Sequence, residues 1–180
     1  MAYLVANGKY LVQKDKKLLT GEIPPINNWY LPPRNEMLAM RDNLYEFGVG
    51  DLSGQYWCST QYSATNGETI IMNLDNYFRT TKLNNLSVRP GRFFESNTPY
   101  NLRDVGPAGG FIYLISGNTY YEAAPADIGL SIWSDVSTLS VGTTSPLAGS
   151  GPANDALIIN QPGHTTSAAL LCENYSVPNP

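Results

Sequence analysis

Apolar positions along this chain come in short bursts separated by polar, glycine-rich breaks, and the first burst repeats itself. Residues 3–5 are Tyr-Leu-Val, Ala6-Asn7-Gly8-Lys9 intervenes, and Tyr-Leu-Val returns at 10–12. An Asn-Gly pair between β-prone triplets suits a tight hairpin turn, whose two central positions need positive φ. A hairpin over about Tyr3 to Val12 is therefore predicted. After a polar turn at residues 13–17, Leu18, Leu19 and Thr20 supply a third short strand before Gly21 and Pro24-Pro25. Three short strands hardly form a core alone. The N-terminal segment 1–22 is thus expected to pack on the main body, on a partner or on copies of itself, with Tyr3, Leu4, Val5, Tyr10, Leu11 and Val12 as its assembly residues.

From Trp29 the period changes. Met37, Met40, Leu44 and Phe47 recur at helical spacing behind Pro32-Pro33, which predicts a helix over Arg34–Phe47 ended by Gly48 and Gly50. Strands are predicted at Tyr56–Thr60, Thr69–Leu74 and Leu86–Phe94, then at Phe111–Ile115 and Thr119–Glu122 around a Gly117-Asn118 turn. Polar residues 95–105 form a linker, and Ser134–Pro152 a surface loop. Two short helices follow, Asn154–Asn160 and Thr166–Tyr175, the second capped by Thr165 or Thr166 and burying Ala169, Leu170 and Cys172. The fold class is α+β.

Composition narrows the functions. The 180 residues include 16 Gly, 13 Pro and 12 Tyr with only 14% charged residues, as in a loop-rich domain whose surface is built from Asn, Ser, Thr and Tyr. Eleven basic against fifteen acidic residues give a net charge of −4, and the bases are scattered apart from Lys14, Lys16 and Lys17. Nucleic acid is not an expected partner, because phosphate neutralisation needs a basic face. Nor is a membrane: no apolar run approaches a span, and the N-terminus lacks the pattern of a signal peptide. Cys58 and Cys172 could be bridged or simply buried, but with one histidine they cannot make a thiolate-rich zinc site.

Two groups of blocks carry a family resemblance: WYLPPRNEM, YWCSTQYSATN and SVRPGRFF, followed by GPAGGFIYLI, EAAPAD, GSGPAND and HTTSAALLCENY. Over about residues 24–178 they resemble the C-terminal domain of the Legionella collagen-like protein, formerly a domain of unknown function, in the C-type-lectin-like superfamily. In that family the second group comes first. The chain is therefore similar to a circular permutant, a domain over 23–180 whose halves 23–94 and 106–180 are joined through 95–105. The resemblance implies that Leu86–Phe94 lies antiparallel beside Phe111–Ile115, and that residues 176–180 end near residues 25–29. Termini that lie close together tolerate such rewiring, and exchange of halves between subunits is the other way to satisfy it.

Candidate chemistry is sparse. His164 precedes a helix with no evident nucleophile, so no catalytic residue is assigned. Asp127, Asp135, Asp155 and Glu173 are of the type that binds Ca²⁺, but their spacing matches no EF-hand. The Glu-Pro-Asn and Gln-Pro-Asp triplets of calcium-dependent lectins are also missing, so no metal or cofactor is expected. Asp127 is read as a turn or helix cap. Trp29, Tyr30 and Trp57 are assigned to the core, while Tyr56, Trp133 and Tyr120-Tyr121 are tempting as stacking platforms. Tyr62, Asn66, Asn73, Tyr77 and Arg79 are the candidate ligand-binding residues, in the region that resembles the variable face of lectin-like folds. Arg89 and Arg92 are expected to form structural ion pairs, with Glu36 a candidate partner.

These features together lead to the expectation of a non-enzymatic structural and binding protein of a bacteriophage virion. A head fibre, capsid decoration or tail-fibre component would join other virion proteins through its N-terminal segment and present a lectin-like head to host-surface glycan, as a homotrimer. The alternative is a bacterial surface adhesin module binding glycan or matrix polymers. A formylglycine-generating type of oxidase, also in the wider superfamily, needs two active-site cysteines held close together.

Overall fold

A computed structural model describes residues 3–6, 9–14 and 17–22 by their strand pairing, and residues 24–179 in full. The N-terminal segment is a three-stranded antiparallel meander of β1 (Tyr3–Ala6), β2 (Lys9–Lys14) and β3 (Lys17–Glu22). Ala6 stands opposite Lys9, the register that a two-residue Asn-Gly connection imposes; Asn7 and Gly8 themselves lie outside the described residues. One cross-strand row joins Tyr3, Val12 and Leu19, and the next joins Leu4, Leu11 and Thr20.

The main body is mixed α+β. Helix α1 (Arg34–Asn43) follows Pro32-Pro33, and the Thr60 hydroxyl takes its first N–H, from Arg34, at 3.0 Å. Met37, Met40 and Leu44 are buried as their spacing predicts. Phe47 is instead 60% exposed. The chain tightens to a 3-10 turn at Tyr45–Phe47, which shifts the helical phase and turns that ring outward.

Eight strands and two helices complete the described body: β4 (Gln55–Gln61), β5 (Asn66–Ile71), β6 (Tyr77–Thr81), β7 (Leu86–Ser87), β8 (Gly91–Glu95), β9 (Phe111–Ser116), β10 (Thr119–Ala123), β11 (Leu130–Ser131), α2 (Gly151–Ile159) and α3 (Ala168–Glu173). They form a five-stranded sheet in the order β11-β7-β4-β5-β6 and a three-stranded sheet in the order β8-β10-β9. Strand β5 begins three residues earlier than predicted, and β6 was not anticipated.

The run Leu86–Phe94, expected to be one strand, is two. Pro90 has no N–H to give a ladder, and its carbonyl accepts from Ala124 N at 2.9 Å, so β7 joins the large sheet and β8 the small one. The neighbour of β8 is also corrected: it pairs antiparallel with β10, not with β9. The tight Gly117-Asn118 connection makes β9 and β10 a hairpin, and β8 adds to the remaining edge of β10.

Two further corrections concern the last helices. Helix α2 starts at Gly151, with Pro152 in its first turn. The cap of α3 is Ser167, whose hydroxyl accepts from Leu170 N at 3.0 Å. Thr165 and Thr166 lie too early for that role, because the helix begins at Ala168, and they form the preceding turn on Asp135. Ala169 and Cys172 are buried as expected, and Leu170 is half-buried.

The segments at the two ends of the body lie side by side, as the resemblance implies for residues 25–29 and 176–180. Ile26 and Val177 exchange two backbone hydrogen bonds of 2.9 and 3.0 Å, and the Trp29 ring meets Tyr175 edge-on at 5.3 Å. Among the described residues no helix is long and apolar enough to cross a membrane.

Burial is organised by β4. Tyr56 and Cys58 enter one cluster with Met37, Met40, Ile70 and Tyr113, beneath α1 and the small sheet. Trp57, pointing the other way, joins Leu31, Trp133, Ile158 and Cys172, beneath α2 and α3. Both cysteines are buried and unbridged.

Glycines permit the small sheet to close. Glu122 is fully buried, accepts from Ala108 N at 3.0 Å and Gly110 N at 2.9 Å, and pairs with Arg92 at 3.0 Å. The GPAGG segment wraps this carboxylate so closely that a Cβ on Gly110 would lie 1.8 Å from the Ala123 carbonyl oxygen. Gly109 has φ +78° and open space. We expect Gly110→Ala to cost about 3 kcal/mol or more through that clash, and Gly109→Ala only about 1 kcal/mol of backbone strain; urea denaturation of the two variants checks the order.

Candidate functional site

The candidate ligand residues fall on the outer hairpin of the large sheet, β5 with β6. Its register sets Glu68 opposite Arg79 and Ile70 opposite Tyr77. Ile70 is buried beneath α1, and from there the same face runs outward to solvent.

On that face two guanidinium groups lie on two phenol rings around one carboxylate. Arg79 stacks on Tyr62, with its guanidinium carbon 3.7 Å from the ring centroid, and Arg34 stacks on Tyr77 at 4.4 Å. Arg34 also bonds both oxygens of Glu68 through one nitrogen, at 3.1 and 3.2 Å. Glu68 is 5% exposed; burial raises its carboxyl from the ordinary value, and the charges of Arg34 and Arg79 work against that rise. The sequence along the strip is therefore ring, cation, carboxylate, cation, ring. Cation–π contacts hold flat side chains in place, so the strip presents preset planar surfaces with guanidinium donors at their edges. Tyr62 and Arg79 are exposed.

Asn66 and Asn73 mark the ends of the strip rather than its middle. Asn66 Oδ1 accepts from Thr65 Oγ1 at 2.8 Å, which uses it to hold the turn that carries Tyr62. Asn73 is exposed in the turn beyond β5, roughly 17 Å of strand away by the rise per residue. The predicted residues thus form a line rather than a cluster.

Arg34 and Glu68 were not among the sequence candidates. A signal existed: a cation at the start of a helix opposes the helix dipole, so Arg34 needed another partner, and Glu68 sits alone among strand residues that turn inward. Which partner each would find depends on contacts 34 residues apart.

The other candidates are structural. Trp29, Tyr30 and Trp57 are buried as expected, and so are Tyr56, Trp133, Tyr120 and Tyr121, which removes them as stacking platforms. Arg89 and Arg92 do make ion pairs, but with Asp127 at 2.6 Å and Glu122 at 3.0 Å. Asp127 is therefore a salt-bridge partner, not a cap. Glu36 meets neither arginine: it accepts from the Tyr30 hydroxyl at 3.0 Å, Gly149 N at 2.7 Å and the Tyr113 hydroxyl. Burial raises the Glu36 carboxyl and both phenols.

Among the described residues no three His, Cys, Asp or Glu side chains gather as a metal site. Asp135 holds the Thr165–Thr166 turn; burial, the largest single influence, raises its carboxyl, but the hydrogen bonds from Thr165 and Thr166 together outweigh it and bring the carboxyl below the ordinary value. His164 donates its backbone N–H to Gln161 O, with no nucleophile or carboxylate hydrogen-bonded to its ring among the described residues. Burial pushes both cysteine thiols well above their usual value. Comparison with family models, curated proteins and solved structures returns no match.

Lys82 clamps the base of the strip. It is fully buried, donates to Gln61 Oε1 at 2.9 Å and Leu139 O at 3.1 Å, and stands 4.5 Å from the Trp133 ring. Burial without a carboxylate lowers it from 10.5 to about 8. Between those two values the unfolded chain binds a proton that the folded one lacks, so this group makes stability rise with pH through that window. Lys82→Met abolishes the rise. Urea unfolding at pH 7.5 and pH 10 is expected to show wild type gaining on the variant at the higher pH.

Proposed function

We propose that the chain is a non-enzymatic virion component of a bacteriophage, a circularly permuted C-type-lectin-like head that attaches to host-surface glycan and is joined to the particle through its N-terminal sheet. The observation that carries the binding role is the pair of stacks around Glu68, exposed at Tyr62–Arg79 and half-buried at Arg34–Tyr77, beside a sheet. Flat aromatic and guanidinium faces match the apolar faces of sugar rings, and their preset geometry reduces the entropy lost on binding. A linear strip suits several residues of a polymer better than one sugar.

The anchoring role is supported by the pairing of β1, β2 and β3 into a separate three-stranded sheet, since so few short strands are marginal without a partner surface. Copies of the same chain are the simplest cover, as a homotrimer. The permuted reading is supported by the order of the sequence blocks and by the pairing of Ile26 with Val177, which puts the ends of the body side by side. Repeated weak sites on one particle would then act by avidity, worth about a hundredfold or more over a single site.

Tyr62→Ala and Arg79→Ala are expected to reduce binding of the full chain to cell-surface polysaccharide at least about tenfold while leaving the melting temperature nearly unchanged; undiminished binding by both overturns the assignment of the strip. Light scattering tests the anchor, with a trimer expected for the full chain and a monomer for the chain beginning at Ile23, folding of both being checked by circular dichroism. The blocks' likeness to an adhesin domain favours a second reading, a bacterial surface module. Immunogold labelling separates the two: gold on particles released by lysis supports the virion role, and gold on intact bacteria the adhesin.

A further inference from the structure

Helix α2 has an apolar side that no described residue of the body covers. Asn154, Asp155 and Ile158 are its buried side, where the Asn154 amide reaches the Ser59 hydroxyl at 3.0 Å and Asp155 accepts from Leu31 N at 2.8 Å. Pro152, Ala153, Ala156 and Leu157, at positions i, i+1, i+4 and i+5, make one face of the helix and are all exposed. Leu147, 62% exposed, lies in the turn that leads into α2 and is held there by a 2.6 Å hydrogen bond from the Ser150 hydroxyl. A helix that is apolar on its outer side as well as its inner one has the pattern of a covered element.

Charge is missing from this region. Between Val136 and Cys172 the only Asp, Glu, Lys or Arg is Asp155, which is buried. The centres of protein interfaces are depleted of charge in this way. Elsewhere the charges are divided by segment. Residues 1–22 hold Lys9, Lys14, Lys16 and Lys17 against Asp15 and Glu22, an excess of two positive charges, so within a net charge of −4 the body has an excess of six negative ones. The body's own cations are committed: Arg34, Arg41, Arg89 and Arg92 pair with carboxylates, and Arg79, Arg103 and Lys82 lie on aromatic rings. Exposed Glu173 shares a cleft with Pro152, Ala156 and Trp29, which gives the apolar face an acidic margin close to where the chain enters the body.

We propose that the N-terminal sheet of one copy of the chain seats on the α2 face of the next copy. The assignment rests on the homotrimer reading and supplies the surface that it lacks. The composition of residues 1–22 fits the seat, with Leu, Val and Tyr for the apolar face and lysines for its acidic margin. Copies joined through their N-terminal sheets bring together the points where the chain enters each body, and the α2 face lies beside that point. Pro24-Pro25 make a stiff, extended connection, which hinders a sheet from folding back on its own body. A contact between two different surfaces closes into a ring when it is repeated around an axis, so three sheets and three α2 faces satisfy one another. Because α2 is already fixed through Ser59 and Leu31, little order is lost on docking.

Both native cysteines are buried, so introduced ones report alone. Full chains carrying Ala153→Cys are co-expressed with full chains carrying Leu11→Cys or Val12→Cys, neighbours that lie on opposite faces of a strand, and treated with a short bismaleimide. Cross-linked pairs of unlike chains are expected, and none when Val105→Cys, also at an exposed apolar position but away from α2, replaces Ala153→Cys. Light scattering over a concentration series gives an independent reading. Ala153→Arg and Leu157→Arg are expected to raise the concentration at which the trimer half-dissociates at least about tenfold, and Val105→Arg to leave it unchanged, with circular dichroism showing each variant folded. A wild-type trimer that the α2 variants do not weaken, with no cross-link to either sheet position, overturns the seat and leaves the homotrimer reading standing. A monomeric wild type overturns both. A cross-link that forms only within a single chain carrying both cysteines overturns the exchange between copies.

Discussion

A strand buried on both faces imposes a strict condition: every polar group along it must find its partner inside the protein. Strand β4 is in that position, and its partners define the body. Ser59 N donates to Pro32 O at 2.9 Å, and the Thr60 hydroxyl receives the first N–H of α1. The Ser59 hydroxyl accepts from the Asn154 amide of α2 at 3.0 Å, and the Cys58 carbonyl accepts from the Trp133 indole at 2.8 Å. One strand thus positions the start of α1, the middle of α2 and the long loop that carries Trp133. Gly67 completes the arrangement, since a Cβ there would lie 2.7 Å from the Trp133 ring.

Local chemistry was legible in the sequence where one short segment decides the outcome. The Asn-Gly register of β1 and β2, the helix behind Pro32-Pro33 and the hairpin at Gly117-Asn118 belong to that class. Segments whose state depends on distant partners were not. Leu86–Phe94 has the composition of one strand, and only the separate sheets on either side of Pro90 divide it. Thr165 and Thr166 are good capping residues by type, but Asp135, thirty residues upstream, fixes them in the turn before the helix, and Ser167 is left as the cap. Tyr77–Thr81 has strong β character, yet its pairing with β5 follows from the turn between them rather than from its own alternation.

The candidate site shows the same division. The exposed tyrosines and Arg79 could be selected from residue type and flanking turns. Arg34 and Glu68 could not, because the value of each lies in the other, and they meet only after α1 has been laid across the sheet. The structure also places Tyr77, Arg79 and Glu68 on a ladder of paired strands, where their spacing is fixed by the pleat, and Tyr62 in the turn beside it.

The antiparallel closure at Ile26 and Val177 gives the body a mechanical neck. Tension transmitted along the chain from its N-terminal sheet reaches the body at Ile26 and loads the two hydrogen bonds to Val177, with the Trp29–Tyr175 contact directly behind them. The five-stranded sheet lies beyond this point and is spared the pull until the neck has opened. A molecule tethered in this way would yield first at a reversible two-bond clasp, sparing the surface on the far hairpin while the tether is stretched.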